Sequence, residues 1–161
     1  MRILGLDLST TTTGYCILDD ATLVTYGVII PDEDLSECAK YYFISNYIAS
    51  LLKIYRPYEI SVEDTFFLKN VVTLKKLSRL AGQIMYLWFQ YCGKCPNFYQ
   101  ATSCRKTFPN LGAKPEKKEI VDSVNAFFKL RGKIVDHNIA DSIVTAYHHY
   151  TILNTKGEEP K

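Results

Sequence analysis

The sequence predicts one α/β domain: a mixed five-stranded sheet with helices on both faces. Three observations carry this. Three short apolar runs come first, and strand-like runs then alternate with longer segments whose apolar residues recur every three to four positions. The chain has 161 residues, is 47% hydrophobic and 22% charged, and so fits one ordinary globular domain. No repeat or low-complexity segment interrupts it. We read residues 1–153 as that single domain and 154–161 as a frayed C-terminal tail.

The elements follow in order. Ile3–Leu8 is apolar without clean alternation, which suits a central strand buried on both faces. Ser9–Gly14 is a polar turn. Tyr15–Leu18 and Leu23–Ile30 read as two strands around an Asp19-Asp20 turn. Ser36–Tyr55 reads as a helix on the spacing of Ile44, Ile48, Leu51 and Tyr55, with Pro57 ending it. Glu59–Asp64 is the fourth strand. Val71–Tyr91 is the longest helix, with Leu74, Leu77, Ala81, Ile84, Trp88 and Tyr91 as a seam able to pack on the sheet or on a second copy of the chain. Asn97–Ala101 is a short fifth strand, and a short helix follows Thr102-Ser103. Glu116–Leu130 and Asn138–Tyr150 are the last two helices.

Several function classes fall away on composition. The longest apolar run, Ile84–Phe89, is far short of the ~20 residues a bilayer span needs. Asp7 interrupts the N-terminal run before a signal-peptide core builds, so we expect no secretion signal and a cytoplasmic protein. Five cysteines is an odd count for a disulfide framework, and the lone Cys92-x-x-Cys95 lacks the further ligands of a zinc site; reduced thiols are the plainer reading. The net charge of +2 hides a strong asymmetry: residues 1–68 carry net −6, residues 69–133 net +10 and residues 134–161 net −2. A basic middle of this kind points to a polyanionic partner.

Against that background, three carboxylates stand out. Asp7 sits inside an apolar strand, where an unpaired charge is costly. It either accepts backbone N–H bonds from the Ser9–Thr13 turn or serves a metal. Glu63 ends another apolar strand beside Asp64, and neighbours in a strand face opposite ways, so one of the two can meet Asp7 if the strands are parallel neighbours. Asp141 opens the last helix, where Asn138-x-x-Asp141 also resembles a capping box with Asn138 as N-cap. Asp136, His137 and Asn138 stand nearby. Carboxylates converging from distant sequence, in a chain with a polyanion-binding middle, suit Mg²⁺ and phosphodiester cleavage.

These residues carry a family resemblance. Ile3-Leu4-Gly5-Leu6-Asp7-x-Ser9, followed by Thr13-Gly14-Tyr15, resembles the opening of the RuvC family of Holliday junction resolvases. Val62-Glu63-Asp64-Thr65-Phe66-Phe67-x-x-Asn70 resembles its glutamate strand and aromatic loop. Gly112-Ala113-x-x-x-x-Lys118-Glu119-x-Val121 is similar to its lysine-bearing helix start, and Ile139-Ala140-Asp141-Ser142 to its terminal Ala-Asp-Ala motif. The four segments come in family order across about residues 3–150.

The resemblance implies a ribonuclease-H-like fold and a homodimer that nicks four-way DNA junctions in recombination and repair. It implies no small-molecule cofactor, but two Mg²⁺ ions per site, with Mn²⁺ as a substitute. Asp7, Glu63, Asn138 and Asp141 would be metal ligands. Lys118 would stabilise the scissile phosphate, and Lys106, or else Arg105, would match a second active-site lysine. Phe66 would stack on bases at the crossover, with Lys69, Asn70, Lys75, Lys76, Arg79 and Lys117 on the DNA, Lys114 assisting, and the Val71–Tyr91 helix at the dimer contact. A metal-activated water would cut in line, leaving 5′-phosphate and 3′-hydroxyl ends.

Two departures stand against the pattern. Asn138 replaces the usual Asp or His, so Asp136 or His137 would be alternative ligands, and Ala81-Gly82 replaces Arg-Gly. Both resemble viral or organellar branches of the family more than its bacterial members. Alternative readings are a broader structure-selective nuclease on branched DNA or RNA, a non-catalytic junction-binding module, and an ATPase of the actin-like or sugar-kinase type. The last needs two such domains and leaves Glu63 unexplained.

Overall fold

The computed structural model describes residues 1–64, 70–112 and 114–156. Phe66 and Lys69 lie outside the described residues. The elements run β1 (Arg2–Asp7), β2 (Thr13–Asp19), β3 (Thr22–Ile29), α1 (Glu37–Tyr55), β4 (Glu59–Asp64), α2 (Val71–Cys92), β5 (Asn97–Gln100), α3 (Ala101–Thr107), α4 (Lys117–Phe127) and α5 (His137–Lys156). Every predicted element is present, with ends shifted by no more than three residues except at the C-terminus. There α5 continues to Lys156 and takes in residues 154–156, which composition alone assigns to the tail.

The five strands form one sheet in the order β3-β2-β1-β4-β5. β1, β2 and β3 are joined as antiparallel neighbours, whereas β4 lies parallel to both β1 and β5. The chain crosses from β3 to β4 through α1, and from β4 to β5 through α2. β1 is therefore central, as its apolar run demands.

Alternation along the strands splits the interior in two. Leu4, Leu6, Ile60 and Val62 face α1 and α2, and pack with Ile44, Ile48, Leu80, Ile84 and Trp88. Ile3, Cys16 and Leu18 face the other way, against Cys104, Ile120, Val124, Ile143 and Val144 of α3, α4 and α5. Asp7 and Glu63 follow the same period-2 rule. Each is an odd number of residues from the α1/α2-facing set, so both side chains stand on the α5 side.

Helix ends explain themselves locally. Ser36 caps α1, accepting from Ala39 N at 3.3 Å. Asn70 caps α2, its Oδ1 accepting from Val72 N and Thr73 N at 3.0 and 3.3 Å. Gly93 ends α2 in the left-handed region at φ 73°. The buried face of α2 is Leu77, Leu80, Ile84 and Trp88, which packs on the sheet; of the predicted seam, Leu74 and Ala81 are half-buried and Tyr91 is exposed, as are Met85, Tyr86 and Phe89. Among the described residues all five cysteines are free thiols, two of them buried, and no helix is long and apolar enough to cross a membrane.

Candidate active site

The site begins with the register of β1 on β4. Leu6 pairs with Val62 in the parallel ladder, which sets Asp7 beside Glu63 at the C-terminal ends of the two strands. Glu63 is half-buried whereas Asp64 is exposed, so Glu63 is the one of the pair that faces inward.

The third carboxylate arrives because α5 crosses this edge at very close range. Two glycines permit it. A Cβ on Gly5 would overlap the Ser142 carbonyl oxygen and stand 2.8 Å from Ala146 Cβ. A Cβ on Gly14, the residue paired with Asp7, would overlap the Asn138 carbonyl and stand 2.9 Å from Ile139 N. The first turns of α5 therefore rest on bare backbone, with Asp141 between the two contacts and only 5% exposed.

Three sequence-level alternatives resolve here. The N–H groups of the Ser9–Thr13 turn do not go to Asp7. Thr13 Oγ1 accepts from Ser9 N at 3.0 Å, and Ser9 Oγ accepts from Thr11 N and Thr12 N at 3.2 and 3.3 Å. The capping-box reading of Asn138 and Asp141 is corrected: α5 starts at His137, and Asp136 is its cap, its Oδ1 accepting from Asn138 N at 2.8 Å. Asp141 is thereby released from capping. Asp136 and His137, the alternative ligands, are both engaged, since Lys117 Nζ lies 2.8 Å from His137 Nε2.

Electrostatics mark Asp7 and Glu63 as charges under stress. Burial, then the neighbouring Glu63, Asp141 and Asp136 carboxylates, push Asp7 well above the usual carboxylate range, with Arg105 pulling the other way. Burial and then Asp141 push Glu63 up to about 7, again opposed by Arg105. Arg105, on α3, donates from Nη2 to Asp141 Oδ1 at 3.0 Å.

The predicted cations are placed unevenly. Arg105 meets the carboxylates and Lys106, its neighbour, is exposed. Lys118 is exposed on the first turn of α4, outside the group of charges acting most on Asp7 and Glu63. Lys75 and Lys114 are exposed. Arg79 pairs with Glu37 of α1 at 2.8 Å and Lys76 approaches the same carboxylate at 3.8 Å. Asn70 serves as the α2 cap. Sequence reasoning did not single out the close-approach glycines; the signal available was a glycine in each of two buried apolar strands.

The donor set suits a hard divalent cation: three carboxylates, with Asn138 adjacent, carry more negative charge than Arg105 offsets. Among the described residues no three His, Cys, Asp or Glu side chains converge closely enough to hold an ion in this arrangement.

A family model described as crossover junction endodeoxyribonuclease RuvC matches residues 3–149. The chain belongs to the RuvC family. Curated RuvC proteins resemble it along most of their length. That of Fusobacterium nucleatum is 29% identical over 97% of this chain and 83% of its own, and that of Wolinella succinogenes is 30% identical over 92% and 93%. Among solved structures, Thermus thermophilus RuvC in complex with a Holliday junction substrate aligns with TM-score 0.83 at 17% identity, covering 96% of each chain. The yeast mitochondrial Holliday junction resolvase Ydc2 aligns with TM-score 0.64 at 15% identity over 96% of this chain and 80% of its own. Those likenesses show the RuvC fold in a chain whose sequence has drifted far from both.

Proposed function

We propose that the chain is a Holliday junction resolvase, a metal-dependent endonuclease that makes paired symmetric nicks in four-way DNA junctions. Membership of the RuvC family supports the reading. The observation that carries it is the meeting of Asp7 and Glu63, in register on β1 and β4, with Asp141 on the α5 helix that crosses them.

Asp7, Glu63 and Asp141, with the amide oxygen of Asn138, would hold two Mg²⁺ ions, for which Mn²⁺ can substitute. Bound there, the ions would supply an activated water and charge stabilisation at the leaving oxygen. The protein's part is to fix the acids on rigid elements and to bring cations to the phosphates. Arg105 stands closest to the acids. Lys117, on α4, reaches the start of α5 through His137, and Lys118 follows it on the same turn. Lys106 and Lys75 are exposed and would meet the DNA backbone, as would Lys69 and Asn70, while Phe66 would stack on bases at the crossover. The products would be 5′-phosphate and 3′-hydroxyl ends.

Two opposed cuts require two sites, which a two-fold homodimer supplies. The outward face of α2 suits that contact: Met85, Tyr86 and Phe89 are 43%, 67% and 55% exposed, and nothing lies within 4 Å of a Cβ built on Gly82. Residues 1–153 would act as one domain, in the cytoplasm.

The test is cleavage of a synthetic four-way junction, a Y-fork, a linear duplex and an RNA hairpin, with Mg²⁺, with EDTA, and with Asp7→Asn. Paired nicks in the junction alone, lost with EDTA and in Asp7→Asn, are expected. Asp7→Asn should keep or tighten junction binding, because it removes a negative charge beside the phosphates. Equal cutting of forks and junctions would make the protein a general branched-DNA nuclease; junction binding with no cutting of any substrate would leave a binding module.

A further inference from the structure

We infer that Arg105 is the resident cation of the carboxylate cluster, and that a divalent ion must displace it from Asp141 to be held there. The inference rests on Asp7, Glu63 and Asp141 being the metal ligands.

Arg105 is not a surface charge that happens to lie nearby. Its neighbour Cys104 is 1% exposed and anchors α3 in the core between β5 and α5, so the backbone of this short helix is fixed. The Arg105 side chain is 21% exposed, Asp141's is 7%, and Nη2 to Oδ1 is 3.0 Å. The guanidinium acts on Asp7 and Glu63 as well, each time opposing the crowding of like charges. One cation thus serves three acids. Any ion that takes Asp141 Oδ1 meets a like charge already bonded to that oxygen. The two compete.

A second feature shows that this pose is incomplete. Arg105 Nε is buried and makes no hydrogen bond, an arrangement that native proteins avoid. A guanidinium with Nε unused retains half of the fork that grips a phosphate through two parallel bonds. Once released from Asp141, Arg105 has both donors available for a backbone phosphate. Metal loading and DNA binding then favour each other, since the ion takes the carboxylates and the phosphate takes the arginine.

The test uses the full chain without DNA and Mn²⁺ as the probe, followed by calorimetry. Arg105→Met should bind Mn²⁺ at least tenfold more tightly than the unmodified protein, about 1.4 kcal/mol. It should also melt lower in EDTA and gain more from Mn²⁺. A purely structural role for Arg105 predicts the lower melting temperature without the tighter binding. If Arg105→Met does not fold, Arg105→Gln replaces it, and the unmodified protein gives an independent readout. Its Arg105 Nε–H resonance, assigned by its absence in Arg105→Lys, should exchange slowly with solvent and then shift and exchange faster as Mg²⁺ is added. Unchanged or weaker Mn²⁺ binding in the variant, or a resonance indifferent to saturating Mg²⁺, overturns the inference. Asp7→Asn separates the two levels. If it binds Mn²⁺ as the unmodified protein does, the ligand assignment itself has failed; if it loses the ion while Arg105→Met gains nothing, only the role of Arg105 has.

Discussion

Replacing Gly14 by alanine adds one methyl group and should disable the site. Gly14 lies on β2 directly opposite Asp7, and a Cβ there would fall on the Asn138 carbonyl and 2.9 Å from Ile139 N. These are backbone atoms of the first turn of α5, which cannot swing aside as a side chain can. Carbon contacts settle at ~3.5–4.0 Å, so the start of α5 must retreat by roughly 1 Å or more. Overpacking of this kind costs ~1–3 kcal/mol, which for a domain of this size lowers the melting temperature by roughly 3–10 °C. Function should suffer more than stability. Asn138 moves first, and Asp141, on the next turn of the same helix, follows it while Asp7 and Glu63 stay on the sheet. A misplacement of ~1 Å is worth about 100-fold in rate. The assay is single-turnover cleavage of a four-way junction beside a thermal melt. Cleavage within threefold of the unmodified protein would refute the claim that α5's contact with Gly14 sets the position of the third carboxylate.

Two other expectations follow from the same geometry. Glu63 holds its proton up to about 7 in the metal-free protein, against an ordinary value near 4.5. The native state thus binds more protons than the unfolded chain between those values, and the stability this confers is lost as pH rises through 7, by ~3 kcal/mol in all. In EDTA, Glu63→Gln should therefore melt higher than the unmodified protein at pH 8, with the gap closing toward pH 5. The comparison cancels His148, whose lowered value works in the opposite direction; a gap independent of pH would show that Glu63 is not strained. On the outer face of α2, Phe89→Asp should yield monomers by light scattering and abolish paired cuts, whereas an unchanged dimer mass would place the dimer contact elsewhere.

Periodicity made the architecture legible because the helices show their apolar residues at helical spacing and the central strand is apolar on both faces. The run Ile3–Leu8 was recognisable as a central strand, and the helix at Val71 began where predicted, since Asn70 caps it. Asp7 and Glu63 were legible for the same reason: a carboxylate in an apolar strand needs an explanation. What the sequence could not show is direction around a short helix. Arg105 and Lys106 are adjacent cations on seven residues of α3, and a step of one residue is ~100° of rotation, so only the packing of Cys104 decides which of them turns inward. The same ambiguity holds for Lys117 and Lys118 at the start of α4. Gly5 and Gly14 carry no chemistry of their own, and their role appears only with the helix laid across them.

The cap of α5 shows why neighbouring acids here divide their work. Asp136 and Asp141 are five residues apart and both lie at the start of one helix. A helix N-terminus has unbonded N–H groups to satisfy, and an acid that satisfies them is held by neutral donors in place. Asp136 takes that role through Asn138 N. Had Asn138 been the cap, Asp141 would stand at the third helical position with its carboxylate drawn back to the cap's own N–H, away from the strands. Starting the helix two residues earlier carries Asp141 into the second turn, where no orphan N–H competes for it. Its oxygen is then left to Arg105 and, in a metal-dependent nuclease, to the ion that displaces it. The cap and the proposed metal ligand are thus separate residues, and the position of one sets the freedom of the other.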